Sequence, residues 1–183
     1  MGVNIDKALT ITGWMEYNEL VLLASIAKNC DFIIEAGSFK GRSTRAMADN
    51  IREGGVIAAV DPWNASIHNS DETAVALTTD ESTRHVFYLN NYKHVKNGTI
   101  IMTPKRFTEL TPFTSPPVDF IFIDADHRYK AVIEDIEHAI KFNPKFLGGH
   151  DYHEDWPGVK RAVDEKFGGN IQVEGTIWLT KLR

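Results

Sequence analysis

The stretch Phe32-Ile-Ile-Glu35-Ala-Gly37-Ser-Phe-Lys-Gly41 joins an apolar run to a loop with two glycines, and a helical pattern from Ser43 to Arg52 follows. A run that is apolar on both faces indicates a strand buried in a parallel sheet. Ligands of open α/β sheets bind at the carboxyl ends of strands, where glycine permits close backbone approach and the next helix offers free N–H groups to an anion. The stretch therefore predicts a strand, a small-molecule binding loop and a helix. A tight turn without a ligand is the alternative interpretation.

Further apolar runs and helical patterns alternate along the rest of the chain. The runs are Val56 to Val60, Thr99 to Thr103, Val118 to Ile123 and Phe146-Leu147, and the helical patterns are Met15 to Asn29, Tyr129 to Ile140 and Val159 to Phe167. Near the end, Ile171-Gln-Val173 and Ile177-Trp-Leu179 flank a turn, which predicts an antiparallel hairpin. The predicted fold class is α/β: a Rossmann-like, doubly wound, mostly parallel sheet with a C-terminal antiparallel hairpin, in a single domain over residues 1–183.

Composition excludes several classes of protein. The formal net charge of −5 argues against broad binding to nucleic acid or membrane surfaces, since both favour a basic field. The single cysteine, Cys30, precludes an intramolecular disulfide, and its position before an apolar run favours a buried thiol. No signal-peptide pattern is present, and the longest aliphatic run, Leu20 to Ala27, is too short to cross a bilayer. We expect a cytoplasmic protein with no nucleic-acid or membrane partner, and leave a homo-oligomer open.

The glycine loop does not fit the common phosphate-binding patterns. Phe39 and Arg42 stand where the dinucleotide fingerprint requires its second and third glycines after Gly37, and no Gly-Lys-Ser or Gly-Lys-Thr closes the loop. The missing glycines weaken the case for a pyrophosphate. A ligand that carries a carboxylate and an amine fits better, with Glu35 available near the amine.

An acidic residue at the end of the second run adds a nucleoside signal. Asp61 is placed to accept hydrogen bonds from both hydroxyls of a ribose, although aspartate also commonly begins turns. Trp63 either covers the ribose or adenine, or belongs to the core. With the glycine loop one strand away, the pattern predicts a nucleoside site.

Four motifs in this order resemble those of the class I S-adenosylmethionine-dependent methyltransferases, in particular the branch of small-molecule O-methyltransferases: Glu35-Ala-Gly37-Ser-Phe-Lys-Gly41, Val60-Asp61-Pro-Trp63, Phe122-Ile-Asp124-Ala-Asp126-His127 and Gly149-His150-Asp151-Tyr152. The resemblance implies S-adenosylmethionine as cofactor and a small-molecule hydroxyl as acceptor. It places Glu35, Gly37 and Ser38 near the methionine end and Asp61 at the ribose. The predicted cofactor site comprises Glu35, Gly37, Ser38, Phe39, Gly41, Ser43, Asp61, Trp63 and Asp124.

The fourth and fifth strand ends carry the residues predicted for metal binding. Asp124 and Asp151 follow adjacent strands, and oxygen ligands suit Mg²⁺, which would lower the pKa of a substrate hydroxyl. Metal-dependent relatives have an asparagine where this chain has Tyr152, which leaves His153 or His150 as a substitute. Metal dependence stays open: alternatively, Asp124 lines the cofactor pocket and Asp151 caps a turn.

The same strand ends supply the candidates for catalysis. Methyl transfer needs a positioned and activated nucleophile but no acid for the leaving group. His127, His150 and His153 are candidate bases because imidazole titrates near neutral pH. His153 is preferred because it lies farthest beyond the fifth strand, where the acceptor is expected. With His127 and Asp124 it completes the predicted catalytic set.

The long connection over residues 62–98 is expected either to line the acceptor site or to hold a helix packed on the sheet. Two other functions compete with methyl transfer. An NAD-dependent oxidoreductase on a related fold is disfavoured by the failed fingerprint and the terminal hairpin. A non-catalytic nucleoside-binding module would keep the pocket without turnover.

Overall fold

The computed structural model describes residues 2–63 and 81–183, with Glu81 described for its backbone alone. In chain order the strands are β1 Phe32–Ala36, β2 Val56–Val60, β3 Ile100–Thr103, β4 Phe120–Ile123, β5 Phe146–Gly149, β6 Gln172–Glu174 and β7 Ile177–Lys181. The helices are α1 Asp6–Leu9, α2 Tyr17–Ala27, α3 Arg42–Ala48, α4 Glu81–Lys96, α5 Tyr129–Ile140 and α6 Pro157–Phe167, with a short 3₁₀ turn at Phe107–Glu109. The longest of these helices, α4, has 16 residues. Within the described ranges no helix has both the length and the apolar character of a membrane span.

The seven strands form one sheet in the order β3-β2-β1-β4-β5-β7-β6. Strands β1 to β5 pair in parallel, and β7 runs antiparallel to both β5 and β6. This confirms the predicted mostly parallel sheet with its C-terminal hairpin. The strand order reverses between β1 and β4, and a crevice for a ligand opens at such a reversal outside the carboxyl ends of the strands.

Both faces of the sheet are covered, as the two-sided apolar runs predicted. Leu20 and Leu23 of α2, Met47 of α3 and Phe87 of α4 pack on one face. Helices α5 and α6 cover the other face with side chains that include Ile136. Cys30 lies in the first of these clusters, which confirms the buried thiol. The two layers hold the carboxyl ends of β1, β2, β4 and β5 along one rigid edge.

Element boundaries differ from the predicted ones for local reasons. Helix α2 begins at Tyr17 rather than Met15 because Glu16 is its N-cap and exchanges hydrogen bonds with Glu19 in a capping box. Helix α3 ends at Ala48, four residues before the predicted Arg52. Of the long connection over residues 62–98, the structure describes Pro62, Trp63 and residues 81–98, and residues 64–80 lie outside the described part.

Candidate active site

The loop after β1 is shaped by three residues with positive φ. Gly37, Phe39 and Gly41 have φ of 88°, 44° and 83°. A Cβ atom on Gly37 would lie 1.8 Å from the carbonyl oxygen of Asp124, and one on Gly41 would lie 2.0 Å from Nδ2 of Asn91. Only glycine fits at these two positions, and the close approach at Gly37 sets the loop directly against the end of β4.

Asp61 and Trp63, at the end of β2, hold the backbone of Phe39 from both sides. The Asp61 carboxylate accepts hydrogen bonds from the Phe39 N–H at 2.9 Å and from the Trp63 N–H at 2.7 Å. The Trp63 indole N–H donates to the Phe39 carbonyl at 2.8 Å, and its ring packs on Phe87. Trp63 is 3% exposed, which favours the core interpretation of this residue. Burial raises the pKa of Asp61 despite its backbone hydrogen bonds, and its contact with a ribose stays a prediction.

Glu35 lies beneath the loop and is completely buried. One carboxylate oxygen accepts from the Ser43 hydroxyl at 2.6 Å, and the other accepts from the Thr44 hydroxyl. Burial raises the pKa of Glu35 to about 7, against the effect of the hydrogen bonds from Ser43 and Thr44. The contacts of Glu35 therefore fasten the start of α3 to β1, and its predicted contact with a cofactor amine remains untested.

The N-terminal segment covers the outer side of this loop. The Arg42 guanidinium, at the start of α3, donates to the carbonyl oxygens of Ile11 at 2.7 Å and Met15 at 3.0 Å. The Trp14 ring, 59% exposed, lies 5.2 Å from the Phe39 ring between centroids. The segment before α2 and the glycine loop are thus held together as one unit.

A cluster of acidic and imidazole groups follows β4 and β5. The Nε2 atom of His127 lies 2.9 Å from Oδ2 of Asp151, and Nδ1 of His150 lies 3.2 Å from Oδ1 of the same carboxylate. Nδ1 of His150 is also 3.8 Å from Oδ1 of Asp124. The structure therefore brings together Asp124, His127 and Asp151 from the predicted site, with His150 between them.

Charges within the cluster shift the pKa of each member. Burial raises the pKa of Asp124 to about 6, although the nearby His150 opposes the shift. Burial also disfavours the ionised Asp151, but hydrogen bonds from His127 and His150 outweigh this and keep its pKa below the usual range. Burial disfavours the charged imidazoles, yet the neighbouring carboxylates raise the pKa of both His127 and His150. The contacts therefore stabilise the ionised form of Asp151 and the charged form of each imidazole beside it.

The geometry of the cluster fits a divalent cation. One ligand atom from each of Asp124, His127 and Asp151 lies within 4.8 Å of the other two, which suits ligands at roughly 2.0–2.6 Å from a shared ion. Besides the two carboxylates, the third residue that would ligate the ion is His127. The Tyr152 hydroxyl instead donates to Asp164 at 2.6 Å, and His150 bridges toward the carboxylates from the buried side.

His153, the preferred base in the sequence analysis, is placed differently from His127. Its imidazole is 54% exposed, and Nδ1 lies 3.2 Å from a carboxylate oxygen of Asp155. The imidazoles in contact with Asp151 are those of His127 and His150, and the His127 ring also packs on Trp156 at 4.1 Å between ring centroids. Trp156 and the buried Glu19, which contacts His150, were not predicted from the sequence, because neither falls in a recognisable motif.

Solved structures of similar fold come from several bacteria. The O-methyltransferase TomG from Streptomyces achromogenes, in complex with S-adenosylmethionine, has a TM-score of 0.66 at 16% identity, over 93% of this chain and 82% of that chain. An O-methyltransferase from Bacillus cereus, in complex with S-adenosylhomocysteine, has a TM-score of 0.65 at 15% identity, over 97% of this chain and 90% of that chain. An S-adenosylmethionine-dependent O-methyltransferase from Thermotoga maritima has a TM-score of 0.67 at 14% identity, over 98% of this chain and 71% of that chain. At these identities the likeness establishes the fold.

The sequence itself supplies the family. No curated protein sequence matches the chain. A family described as the methyltransferase domain matches residues 34–145, which is more than half of the chain and includes the glycine loop, Asp61 and the Asp124–His127 segment. The chain therefore belongs to the methyltransferase-domain family.

Proposed function

We propose that this protein transfers the methyl group of S-adenosylmethionine to a hydroxyl group of a small molecule. The observation that carries the proposal is the contact between the two parts of the site, the glycine loop and the acidic and imidazole cluster. Gly37 of the loop lies against the backbone of Asp124, the first residue of the cluster. A ligand bound over the loop would therefore present a group directly to the cluster. Family membership and the two solved proteins with bound cofactor or product support this assignment.

The cofactor half is the edge formed by the loop from Gly37 to Gly41 and by the end of β2. The loop is held rigidly by Asp61 and Trp63 from β2 and by Glu35 from below. A rigid binding loop loses little conformational entropy when a ligand arrives, which favours affinity. We assign the methionine end of the cofactor to the loop and the ribose to the neighbourhood of Asp61.

The acceptor half is the cluster after β4 and β5. Transfer is an in-line displacement in which the acceptor oxygen forms a bond to the methyl carbon while the carbon–sulfur bond breaks, so the chain must position the hydroxyl and remove its proton. We assign the proton of the acceptor hydroxyl to a carboxylate oxygen of Asp124, because Asp124 lies directly beside the glycine loop and burial raises its pKa toward neutral pH. The imidazole of His127, which is held by Asp151, donates a hydrogen bond to the acceptor and orients it.

A divalent cation would add to this chemistry if it binds. Asp124, His127 and Asp151 would hold it, and it would lower the pKa of the acceptor hydroxyl. We favour a small-molecule acceptor over a nucleic acid because the net charge of −5 does not attract a polyanion. A homo-oligomer is compatible with this assignment.

Calorimetry tests the proposal before the acceptor is known. We expect S-adenosylmethionine and S-adenosylhomocysteine to bind, NAD to give no heat, and Asp61→Asn to weaken binding more than Asp31→Asn, which changes a surface acid paired with Arg52. Radiolabel transfer from the cofactor to a panel of phenols, sugars and other alcohols, with and without Mg²⁺, then identifies the acceptor class. A folded protein that binds neither compound would overturn the assignment, and binding of NAD instead would favour an oxidoreductase.

A further inference from the structure

Glu19 lies far from the acidic and imidazole cluster in sequence, yet it contacts the cluster through His150. Glu19 is 2% exposed, and four polar groups from three residues contact its carboxylate. One oxygen accepts from the Thr176 N–H and hydroxyl, both at 2.8 Å. The other accepts from the Glu16 N–H at 2.8 Å and lies 3.2 Å from Nε2 of His150. A buried carboxylate with this many directed contacts fixes the position of each partner.

The His150 ring transmits this constraint. Its Nε2 atom faces Glu19, while Nδ1 faces Asp151 at 3.2 Å and Asp124 at 3.8 Å. The ring is 7% exposed and bridges the buried carboxylate and the two proposed active-site carboxylates. Any rotation of the imidazole away from Glu19 would also break its contact with Asp151.

The backbone of Asp151 has an uncommon conformation. Its φ of 61° lies in the left-handed region, which few residues other than glycine, asparagine and aspartate adopt. The next residue, Tyr152, donates its N–H to the carbonyl of Thr176 at 2.9 Å. Thr176 therefore holds Glu19 with its N–H and hydroxyl and the Asp151 loop with its carbonyl.

The turn between β6 and β7 is built to reach Glu19. Gly175 has a φ of 62°, and a Cβ atom there would lie 2.8 Å from the Glu19 carboxylate oxygen. A side chain at this position would push the turn away from α2. The hairpin thus does more than extend the sheet, because its turn closes a chain of contacts from α2 to the active-site carboxylates.

We propose that Glu19 and Thr176 are positioning residues for methyl transfer, and that they act through His150 to orient Asp151 and His127. This inference rests on the proposed function for its catalytic meaning, whereas the chain of contacts stands independently of it. The competing explanation is purely structural: Glu19 caps α2 and anchors the hairpin, with no effect beyond folding.

The test compares Glu19→Gln with Glu16→Ala. Glutamine keeps the shape of the side chain but places an amide N–H₂ opposite donors, so it cannot hold all the partners of Glu19. Glu16→Ala removes the other half of the capping box on the same helix and leaves the Glu16 N–H in place. It is therefore a matched control for helix stability. Two further variants test the contribution of the Thr176 hydroxyl: Thr176→Val removes it, and Thr176→Ser retains it.

The readout is the ring-nitrogen NMR resonances of His150 and His127 in ¹⁵N-histidine-labelled protein, assigned with single His→Gln variants. We expect both sets of resonances to shift in Glu19→Gln and Thr176→Val, and neither to shift in Glu16→Ala or Thr176→Ser. Unchanged His127 resonances in Glu19→Gln overturn the proposal, and if that variant does not fold, Thr176→Val decides by the same criterion.

A kinetic measurement ties the positioning to catalysis. With an acceptor from the panel, Glu19→Gln should lower kcat about 10- to 100-fold, the loss that is typical when a residue orienting the ligands of a metal site is removed, without raising the KM for S-adenosylmethionine. An unchanged kcat confines Glu19 to folding. Failure of the proposed function is distinguishable, since it appears as absent cofactor binding by the wild-type protein, whatever the histidine resonances show.

Discussion

Replacing Gly37 with alanine should test the contact that joins the two halves of the site. The new Cβ would lie 1.8 Å from the Asp124 carbonyl oxygen, and the backbone φ of 88° is unfavourable for alanine. Positive φ costs an L-residue about 1–2 kcal/mol, and forcing extra atoms into a packed region costs about 1–3 kcal/mol. We expect a total loss of about 2–5 kcal/mol, a large part of the roughly 5–15 kcal/mol by which domains are stable.

Gly54→Ala is the matched control, because Gly54 has a φ of 78° and its added Cβ would meet nothing within 4 Å. The control therefore includes only the free-energy cost of placing alanine at a positive φ. Gly37→Ala should be less stable than Gly54→Ala by about 1–3 kcal/mol in urea unfolding, which is the cost of the added atoms. In thermal unfolding the same difference corresponds to a Tm lower by about 2–12 °C. Calorimetry should also show that Gly37→Ala loses affinity for S-adenosylhomocysteine while Gly54→Ala retains it. Equal stability and equal affinity of the two variants would refute the close approach of the loop to β4.

Three other predictions follow from the cluster and from a buried acid on α5. Because His127 adds an imidazole donor, we expect Mn²⁺ or Zn²⁺ to bind more tightly than Mg²⁺ in calorimetry and Asp151→Asn to weaken all three; tighter binding of Mg²⁺ would exclude His127 as a ligand. Asp124→Asn should lower kcat about 10²–10⁴-fold in the radiolabel assay, whereas the exposed His153 should tolerate alanine; the reverse ranking would make His153 the base. Burial and neighbouring acids raise the pKa of Asp135 to about 7, so ionisation destabilises the folded state as the pH rises from about 4 to 7. Asp135→Asn should therefore be more stable than the wild type at pH 8, by at most about 4 kcal/mol, with the advantage disappearing near pH 4 in urea unfolding; a difference that does not vary with pH would contradict this.

Much of the fold could be predicted because burial on two faces leaves a visible pattern in the sequence. The runs at β2 and β4 are apolar throughout, and the run at β1 is apolar up to Glu35. The alternation of runs and helical stripes implies parallel pairing. The hairpin followed from two short runs around Glu174-Gly-Thr176. Strand ends are also readable, which is why Asp124 and Asp151 were predicted to lie together.

The direction of individual side chains could not be predicted in the same way. His127 and His153 both follow strand ends, but one points to Asp151 and the other to Asp155, and that choice depends on the backbone conformation of each loop. Glu35 is buried beneath its loop because two hydroxyls of α3 hold it there. Glu19 contacts His150 across 131 positions of the chain, and no local periodicity encodes such a distant pair.

In the proposed function, the reversal of strand order between β1 and β4 separates donor recognition from acceptor recognition along the edge of the sheet. That assignment places the methyl donor at the segments that follow β1 and β2, and the compound to be methylated at the segments that follow β4 and β5. Mutational drift in the later segments can therefore alter which compound is modified while the donor pocket is inherited intact. Proteins with this strand order can therefore evolve to accept new compounds while they keep the same cofactor site.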